Sequence, residues 1–454
     1  MANLEVIEHD DAGNITVTYV ESTNDQGNAR VDLVRPLQTK SLLQRTLGVF
    51  LPAGYPHSVT NDYFEYQVYD SLQAFSSSIA GLLSSRAVLS SVGVGDATAS
   101  PTAALLLSVV EQSVGRVITI LFAYRFGTSL EPECKMYRLL ADVLNDFAFV
   151  LDCLSPAFPK PLRVLVLTFA GVLRALCGVA AGSSKASLSA HFAKWGNLGE
   201  LNAKDSSQET VISLLGMLVG SQVVTYVTSP MPTWTTLMLL LAVHLETNRR
   251  AVRAVRAVSM RTLNRQRAGI IYHHLRGGHV PSPEEVAHTE WIFDWDGVMR
   301  RADGSLLGHC TVGASISDLL SSIASTHSST KSTTLGSISL TKLLLPFATK
   351  KYILWYEPRI IGRQLEVSIA LKQGAECIDI IAAWWHAIAM SETVTALSTG
   401  NAEDEGGFSV LEKTMRDVDQ LLQKHRKPLE DLGWDLKTGA LETRSGRRLD
   451  VRKL

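Results

Sequence analysis

Apolar stretches dominate the middle of the chain, where they alternate with short polar breaks. Glycine and proline mark several of these breaks, for example at Gly127 and Pro159. The pattern predicts six helices, each close to the roughly 20 residues that cross a bilayer core. They fall near residues 70–94, 102–125, 136–157, 162–182, 208–228 and 231–247. We therefore expect an apolar six-helix bundle that is transmembrane.

The flanks of this region have a different pattern. Residues 1–40 include the alternating stretch ITVTYV and predict a polar arm or hairpin. The helical domain is expected over 41–280, with its sixth helix continuing as a basic helix over 249–267. Residues 281–341 predict a connector that ends in a Ser/Thr-rich linker from Ser315 to Thr341. Strand-like KYILWYEPR and QLEVSIAL, followed by two helices, predict a small α+β C-terminal domain over 342–454.

Charge adds a topology to this mainly α architecture. The chain has 43 basic and 44 acidic residues, so no net field favours nucleic acid as a partner. Lys and Arg concentrate on cytoplasmic loops of membrane proteins, and most loop cations fit a bundle with both termini cytoplasmic. Lys160 and Arg163 are the exception. A run of arginines after the sixth helix predicts contact with anionic lipids, led by Arg249, Arg250, Arg253 and Arg256.

The N-terminus carries no secretory signal, so we expect a protein that is not secreted, in a membrane that the pattern does not identify. Charges such as Arg86 and Glu111 interrupt the apolar helices and leave a second interpretation open. In that interpretation the bundle is soluble or peripheral and acts as an adaptor. Its partner would be a paralogue or another copy of the chain.

Ionisable residues on the helices are the first candidates for function. Arg138, Asp142 and Asp146 recur every four residues and therefore share one helical face. They form either a salt-bridged stripe that stabilises the bundle or a cation or proton relay in a cavity. Asp96 lies in the turn VGVGDA, where it caps the next helix or faces a cavity.

A second polar set surrounds the loop before the fifth predicted helix. Asp205 fits a helix N-cap, but capping does not explain why Gln208 and Glu209 enter an apolar helix. This loop is the preferred candidate for a ligand or ion site. Its members are Lys185, His191, Lys204, Asp205, Gln208 and Glu209.

Motifs of known catalytic chemistry find little support. The five cysteines are far apart and lack metal-ligand spacing, and there is no G-x-S-x-G elbow. Phe293 to Val298 (FDWDGV) resembles a phosphatase nucleophile motif but lacks its preceding strand and its carboxylate pair. We therefore expect a non-enzymatic protein with no catalytic residue, no metal site and no identified cofactor.

Long irregular strings in the chain resemble the root UVB-sensitive family, also called the vitamin B6 photoprotection-related proteins. They include FLPAGYPHSVTNDYFEYQVYDSLQAFSSSI, YRLLADVLNDFA and GVAAGSSKASLSAHFAKWGNLGELNAKDSSQETVISLLGMLVGS. The chain departs from the family at Ser183-Ser184-Lys185, where Gly-Ala-Thr-Arg is usual. The resemblance implies a role in vitamin B6 homeostasis or in the response to ultraviolet light. A vitamin B6 compound is implied as a ligand by this association alone, and no catalytic residues are implied.

A fainter similarity is to half of a major-facilitator transporter. It rests on six helices, the turn at Gly127 and small residues in the fourth and fifth helices, which let membrane helices approach closely. The prediction is an integral, transporter-like membrane protein whose partners are lipids and a paralogue or second copy.

Overall fold

The computed structural model describes residues 4–9, 15–23, 29–34, 48–93, 101–255, 262–321, 324–326, 333–335, 339–361, 364–399, 407–443 and 446–451. The described chain is mainly helical, with a small sheet region towards its C-terminus. It divides into two compact units. The first comprises Met1–Thr119 and Arg138–Val255, and the second comprises Ile120–Tyr137 and Arg256–Leu454.

The N-terminal arm forms strands. β1 (Glu5–His9), β2 (Ile15–Thr23) and β3 (Ala29–Val34) pair in order as an antiparallel meander, with Glu5 opposite Val20 and Thr18 opposite Val34. The alternation in ITVTYV predicted this strand pairing, and the structure adds a third strand to the hairpin.

All six predicted helices are present, with shifted ends. The fourth and fifth are longer than predicted because the polar residues on either side of their connecting loop are helical. Prolines stand at the start of the second, fourth and sixth helices, where the missing N–H costs little. The helices are α1 (Tyr63–Ser91), α2 (Pro101–Phe126), α3 (Cys134–Leu154), α4 (Lys160–Phe192), α5 (Leu198–Tyr226) and α6 (Pro230–Ala254).

Within the described residues, three helical segments rather than six are long and apolar enough to cross a membrane. They are Leu105–Ser129, Lys160–Phe192 and Leu198–Tyr226. The sequence prediction of six such segments is thus met only for α2, α4 and α5. The other three helices carry more charge, such as Asp70 and Arg86 on α1 and Asp142 and Asp146 on α3.

Small residues let α5 approach α1 closely. A Cβ added to Gly216 would lie 2.7 Å from Ser78 Cβ, and one added to Gly220 would lie 2.7 Å from Leu82 Cδ1. The small-residue packing expected for α5 is therefore present. At Gly178 on α4, by contrast, no other part of the described chain comes within 4 Å of the added Cβ position. A compact core nearby contains Ala80, Leu83, Phe149, Leu237 and Leu241.

The second unit is built on a small mixed sheet. β9 (Gln364–Lys372) pairs antiparallel with β8 (Tyr352–Ile361) and parallel with both β5 (Leu306–Val312) and β10 (Arg448–Leu449). β4 (Val298–Arg300) adds to β5 antiparallel. Inward residues of β9, including Val367 and Ile369, are buried, as the alternation in QLEVSIAL requires.

Helices and short strands complete this unit. α11 (Cys377–Thr399) is apolar on all sides and is buried along most of its described length, in agreement with its sequence. The elements are α7 (Arg265–Arg276), α8 (Pro283–Thr289), α9 (Ile316–Ser321), β6 (Ala324–Thr326), β7 (Thr333–Leu335), α10 (Leu340–Leu344), α11 (Cys377–Thr399) and α12 (Gly407–Asp431).

Two predicted segments differ from the structure. The connector over 281–341 contributes β4 and β5 to the C-terminal sheet, and its Ser/Thr-rich part contains α9 and the β6–β7 hairpin. The basic helix expected over 249–267 is not one helix, since α6 ends at Ala254 and α7 starts at Arg265. Arg265 and Arg267 are buried, and each is paired with an acidic residue of the second unit, which compensates its charge.

Candidate functional site

The first unit holds a buried polar network where α1, α3 and α6 meet. Its side chains come from three helices, and most are under one tenth exposed, with Asn248 at 0% and His244 at 1%. We call this set the inner network. It consists of Asp70 and Gln73 on α1, Arg138, Asp142 and Asp146 on α3, and His244 and Asn248 on α6.

Arg138 is the centre of the inner network. Its guanidinium donates to Asp70 Oδ1 at 2.7 Å, to Asp142 Oδ1 at 3.1 Å and to Gln73 Oε1 at 3.0 Å. Asp142 also accepts from Gln73 Nε2 at 2.6 Å and from Asn248 Nδ2. One cation therefore faces two carboxylates, and amides supply the remaining hydrogen bonds that buried charges require.

His244 connects this centre to Asp146. Its Nε2 lies 3.0 Å from Gln73 Nε2, and its Nδ1 lies 2.7 Å from Asp146 Oδ1. Because an amide nitrogen only donates, Nε2 must accept, and the proton of the neutral ring sits on Nδ1 facing Asp146. A second proton on His244 would place two donors face to face. Gln73 would then have to turn, which breaks its bonds to Arg138 and Asp142.

The sequence stripe Arg138, Asp142 and Asp146 is thus brought together, but all four of its partners were missed. Asp70 and Gln73 are three residues apart on α1, and His244 and Asn248 are four apart on α6. That spacing places each pair on one helical face and is the signal that could have found them. This spacing signal is weak alone, because the two pairs form a network only where the three helices pack together.

The loop set forms a second cluster, centred on Lys185. Its ammonium lies 2.7 Å from Asp205 Oδ2 and 2.7 Å from Glu209 Oε2, which joins α4 to α5. Gln67 of α1 donates to Asp205 at 2.9 Å and to Gln208 at 2.9 Å. The structure therefore brings Lys185, Asp205, Gln208 and Glu209 together in one cluster. An apolar groove of about 600 Å³ borders this cluster, with Gln67 and Gln208 in its lining.

The other two members of the loop set have separate partners. Lys204 donates to the carbonyl oxygens of Gly48 at 3.2 Å and Val49 at 2.6 Å. His191 lies 2.8 Å from Asp62 Oδ2, and both side chains are buried. Burial alone would raise the pKa of Asp62, but the hydrogen bond and charge of His191 hold it below its ordinary value.

The remaining candidates are less informative. Asp96 and Arg256 lie outside the described residues. Arg249 and Arg250 both bind Glu246, at 2.7 and 2.8 Å, so part of their charge is compensated on α6 itself. Arg253 is exposed on the last turn of the same helix.

A buried charge cluster also occurs in the second unit. Arg267 lies 2.8 Å from Glu290, and Lys135 lies 3.2 Å from the same carboxylate. Burial opposes ionisation of Glu290, but these two cations lower its pKa. Glu133, which accepts from Asn264 at 3.2 Å, has the opposite balance, since burial raises its pKa to about 7 and Glu290 adds to the effect.

Glu133 should therefore make stability depend on pH. Its pKa is about 7 in the folded state against an ordinary 4.5, so the folded state binds this proton more tightly. The stability it contributes is complete below pH 4.5 and is lost as pH rises through 7.

Glu133→Gln keeps an oxygen for Asn264 and removes this pH-dependent loss of stability. We expect the variant to unfold several degrees above wild type near pH 8 and at the same temperature near pH 4, measured by scanning fluorimetry. A lower melting temperature for the variant near pH 8 would mean that the ionised carboxylate is stabilising.

Comparison with known proteins decides the family. Residues 36–277 match the model of the vitamin B6 photo-protection and homoeostasis domain, which covers more than half of the chain. The chain belongs to the root UVB-sensitive family. This confirms the resemblance seen in the sequence. Both the inner network and the Lys185 cluster lie within the matched residues.

Relatives of this root UVB-sensitive protein come from an amoeba and a plant. RUS family member 1 of Dictyostelium discoideum is 37% identical over 63% of the chain and 55% of the relative. Protein root UVB sensitive 3 of Arabidopsis thaliana is 30% identical over 84% of the chain and 82% of the relative. Protein root UVB sensitive 2, chloroplastic, of the same plant is 32% identical over 57% and 59%. The chain thus spans little more than half of the Dictyostelium relative. No solved structure matches.

Proposed function

We propose that this root UVB-sensitive protein is an integral membrane protein with a transporter-like role in vitamin B6 homeostasis. Its first unit lies in the bilayer, with the apolar faces of α2, α4 and α5 towards lipid and the inner network inside. The observation that carries the proposal is the exposure of these three helices. Only 6%, 22% and 11% of their most apolar stretches are buried within the chain.

The exposed side chains on these helices are large and apolar, and they lie close together along each helix. Soluble monomers seldom present an apolar surface of this extent, because water penalises it and other molecules cover it. A bilayer offers a cover of matching chemistry and thickness. Side chains between about two fifths and two thirds exposed are Leu105, Leu106, Val109 and Val110 on α2, Val164, Leu165 and Phe169 on α4, and Val211, Leu214, Leu215, Leu218 and Val219 on α5.

The inner network fits this setting. Charged groups inside a membrane protein face the bundle interior and pair with one another, as Arg138 does with Asp70 and Asp142. Groups that face His244 come from α1 and α3, with Gln73 on one side and Asp142 and Asp146 on the other. A second proton on His244, at Nε2, forces Gln73 away from Arg138. Proton uptake is therefore coupled to the contact between α1 and α3, which is what a proton-linked transporter requires.

Alkaline carbonate extraction of cell membranes tests the location. We expect the protein to remain in the membrane pellet after carbonate and to leave it only in detergent. Release into the carbonate supernatant would contradict the proposal. It would favour a peripheral adaptor whose apolar faces are covered by a paralogue or by a second copy of the chain.

Amide substitutions test the role of the charges. Asp142→Asn, Asp146→Asn and Glu209→Gln each remove a charge with little change in volume. We expect Asp146→Asn and Glu209→Gln to accumulate normally, remain in the membrane and fail to restore growth and vitamin B6 levels to cells that lack the protein. Asp142→Asn should fail as well and should also accumulate less, because Arg138 loses one of its two carboxylates. Glu246→Gln is the matched control, because the carboxylate of Glu246 binds Arg249 and Arg250 on the surface of α6. We expect this variant to support normal growth. Full activity of all three test variants would mean that the charges are structural.

A further inference from the structure

The second unit contains a groove of about 570 Å³ between α7, the loop before β4 and α11. A cavity of this size suits a small organic molecule. Aromatic rings and cationic or titratable groups line its walls. Those used in the argument below are Trp291, Trp384, His273, Arg265, Arg300 and Arg301.

Trp384 presents an unused hydrogen-bond donor at this groove. Its side chain is 1% exposed, and its indole Nε1–H has no hydrogen-bond partner among the described residues. The neighbouring Trp385 is equally buried, but its Nε1–H donates to the carbonyl of Ala268 at 2.8 Å. A buried donor without an acceptor costs free energy. An acceptor atom of a ligand bound to the N–H of Trp384 would remove this cost.

Gly269 lies next to this donor. It lines the same groove from α7, and a Cβ placed on it would come 3.8 Å from Trp384 Nε1 and 3.5 Å from Ile388 Cδ1. Both distances are ordinary contacts, so alanine would fit there. A larger side chain would fill the space in front of the indole.

Positive charge lies beside both rings. The guanidinium carbon of Arg265 is 5.8 Å from the ring centre of Trp384, and that of Arg300 is 4.1 Å from the ring centre of Trp291. Asp294, a carboxylate in the lining, accepts two bonds from Arg300 at 2.7 and 3.2 Å and holds it flat on the indole. Asp296 similarly binds Arg265. His273 lies 2.8 Å from the carbonyl oxygen of Arg300 and 3.6 Å from Glu392. Arg301 donates to Ser305, and the lining carboxylate Asp303 interacts with its charge.

We propose that this groove binds a small organic anion with a flat aromatic part. The aromatic part stacks on the indole walls, and an oxygen of its carboxylate or phosphate accepts the hydrogen bond from Trp384 Nε1 close to Arg265. Arginine and indole together favour a ring that carries a negative group over either an inorganic ion or a neutral ring. The site belongs to the second unit and is independent of the inner network.

Fluorine NMR on the purified full chain tests this site, with a ring-fluorinated naphthoate as the probe and the matching neutral naphthamide as its comparison. We expect the naphthoate signal to broaden on binding, with an affinity at least about tenfold above that of the amide. Trp384→Phe keeps the ring and removes the N–H, and should weaken naphthoate binding about tenfold. Trp385→Phe is the matched control and should bind as wild type does.

A second pair of variants keeps the test decisive if Trp384→Phe disturbs the fold, which near-ultraviolet circular dichroism would show. Gly269→Leu should abolish naphthoate binding, and Gly269→Ala should retain it. The proposal is overturned if wild type binds no naphthoate or binds the amide equally well. It is also overturned if Trp384→Phe and Gly269→Leu both bind as wild type does.

Discussion

Leu214→Asp combined with Leu218→Asp is expected to remove the protein from the membrane. These leucines are 52% and 58% exposed, four residues apart on one face of α5. In water the double substitution would be tolerated, because exposed surface changes alter stability little. In the hydrocarbon core each aspartate costs about 2.5–3.5 kcal/mol or more, so two on one face cost about 5–7 kcal/mol. That is enough to prevent insertion, and we expect the variant to be degraded or recovered in the soluble fraction.

Exposed leucines of the second unit provide the matched control. Leu345 is 64% exposed and Leu432 is 44% exposed, so their accessibility is similar. Leu345→Asp with Leu432→Asp should leave both the level and the membrane location unchanged, measured by fractionation and immunoblotting. Equal behaviour of the two double variants would show that α5 does not face lipid.

Arg138→Met should destabilise the first unit severely. It leaves Asp70 and Asp142 facing each other without their shared cation, in a site where Arg138 is only 8% exposed. Removing one partner of a buried ion pair costs about 3–5 kcal/mol. We expect a fall in melting temperature of ten degrees or more by scanning fluorimetry of the purified protein.

A double variant separates the charge from the packing. Arg138→Met with Asp142→Leu removes the cation together with one of its two carboxylates. The double variant should recover part of the lost melting temperature, because only Asp70, whose side chain is 14% exposed, then lacks its cation. Arg249→Met breaks an exposed ion pair on α6 and should melt close to wild type. An additive loss in the double variant would contradict the network as described.

The helices could be predicted from the sequence because apolar runs of this length, punctuated by proline and glycine, have few alternatives. Their lengths were less accurate. Ser189 and Leu201 continue α4 and α5 because each is buried in the structure, and burial in tertiary packing overrides a polar local pattern. The same effect explains the folded part of the connector, where Cys310 and Val312 of β5 enter the sheet core.

The inner network could be predicted only in part. The spacing of four residues within one helix identifies Arg138, Asp142 and Asp146, because this signal is local. His244 is more than 90 residues away along the chain, and a single histidine in an apolar helix gives no sign of its partners. Likewise, Lys185 was recognised as a cation of interest, but its pairing with Asp205 and Glu209 depends on how α4 meets α5. Contacts between helices follow from packing and not from periodicity.

Collision accessibility of a spin label at position 218 measures whether α5 faces lipid. The label is attached to Leu218→Cys in a variant without the native cysteines, reconstituted in lipid, and relaxed by oxygen or by a water-soluble nickel chelate. Oxygen concentrates in the bilayer and the chelate stays in water. We expect strong relaxation by oxygen and almost none by the chelate, with the reverse at Leu345→Cys. Relaxation by the chelate at position 218, or protection there from both agents, would contradict lipid exposure of α5.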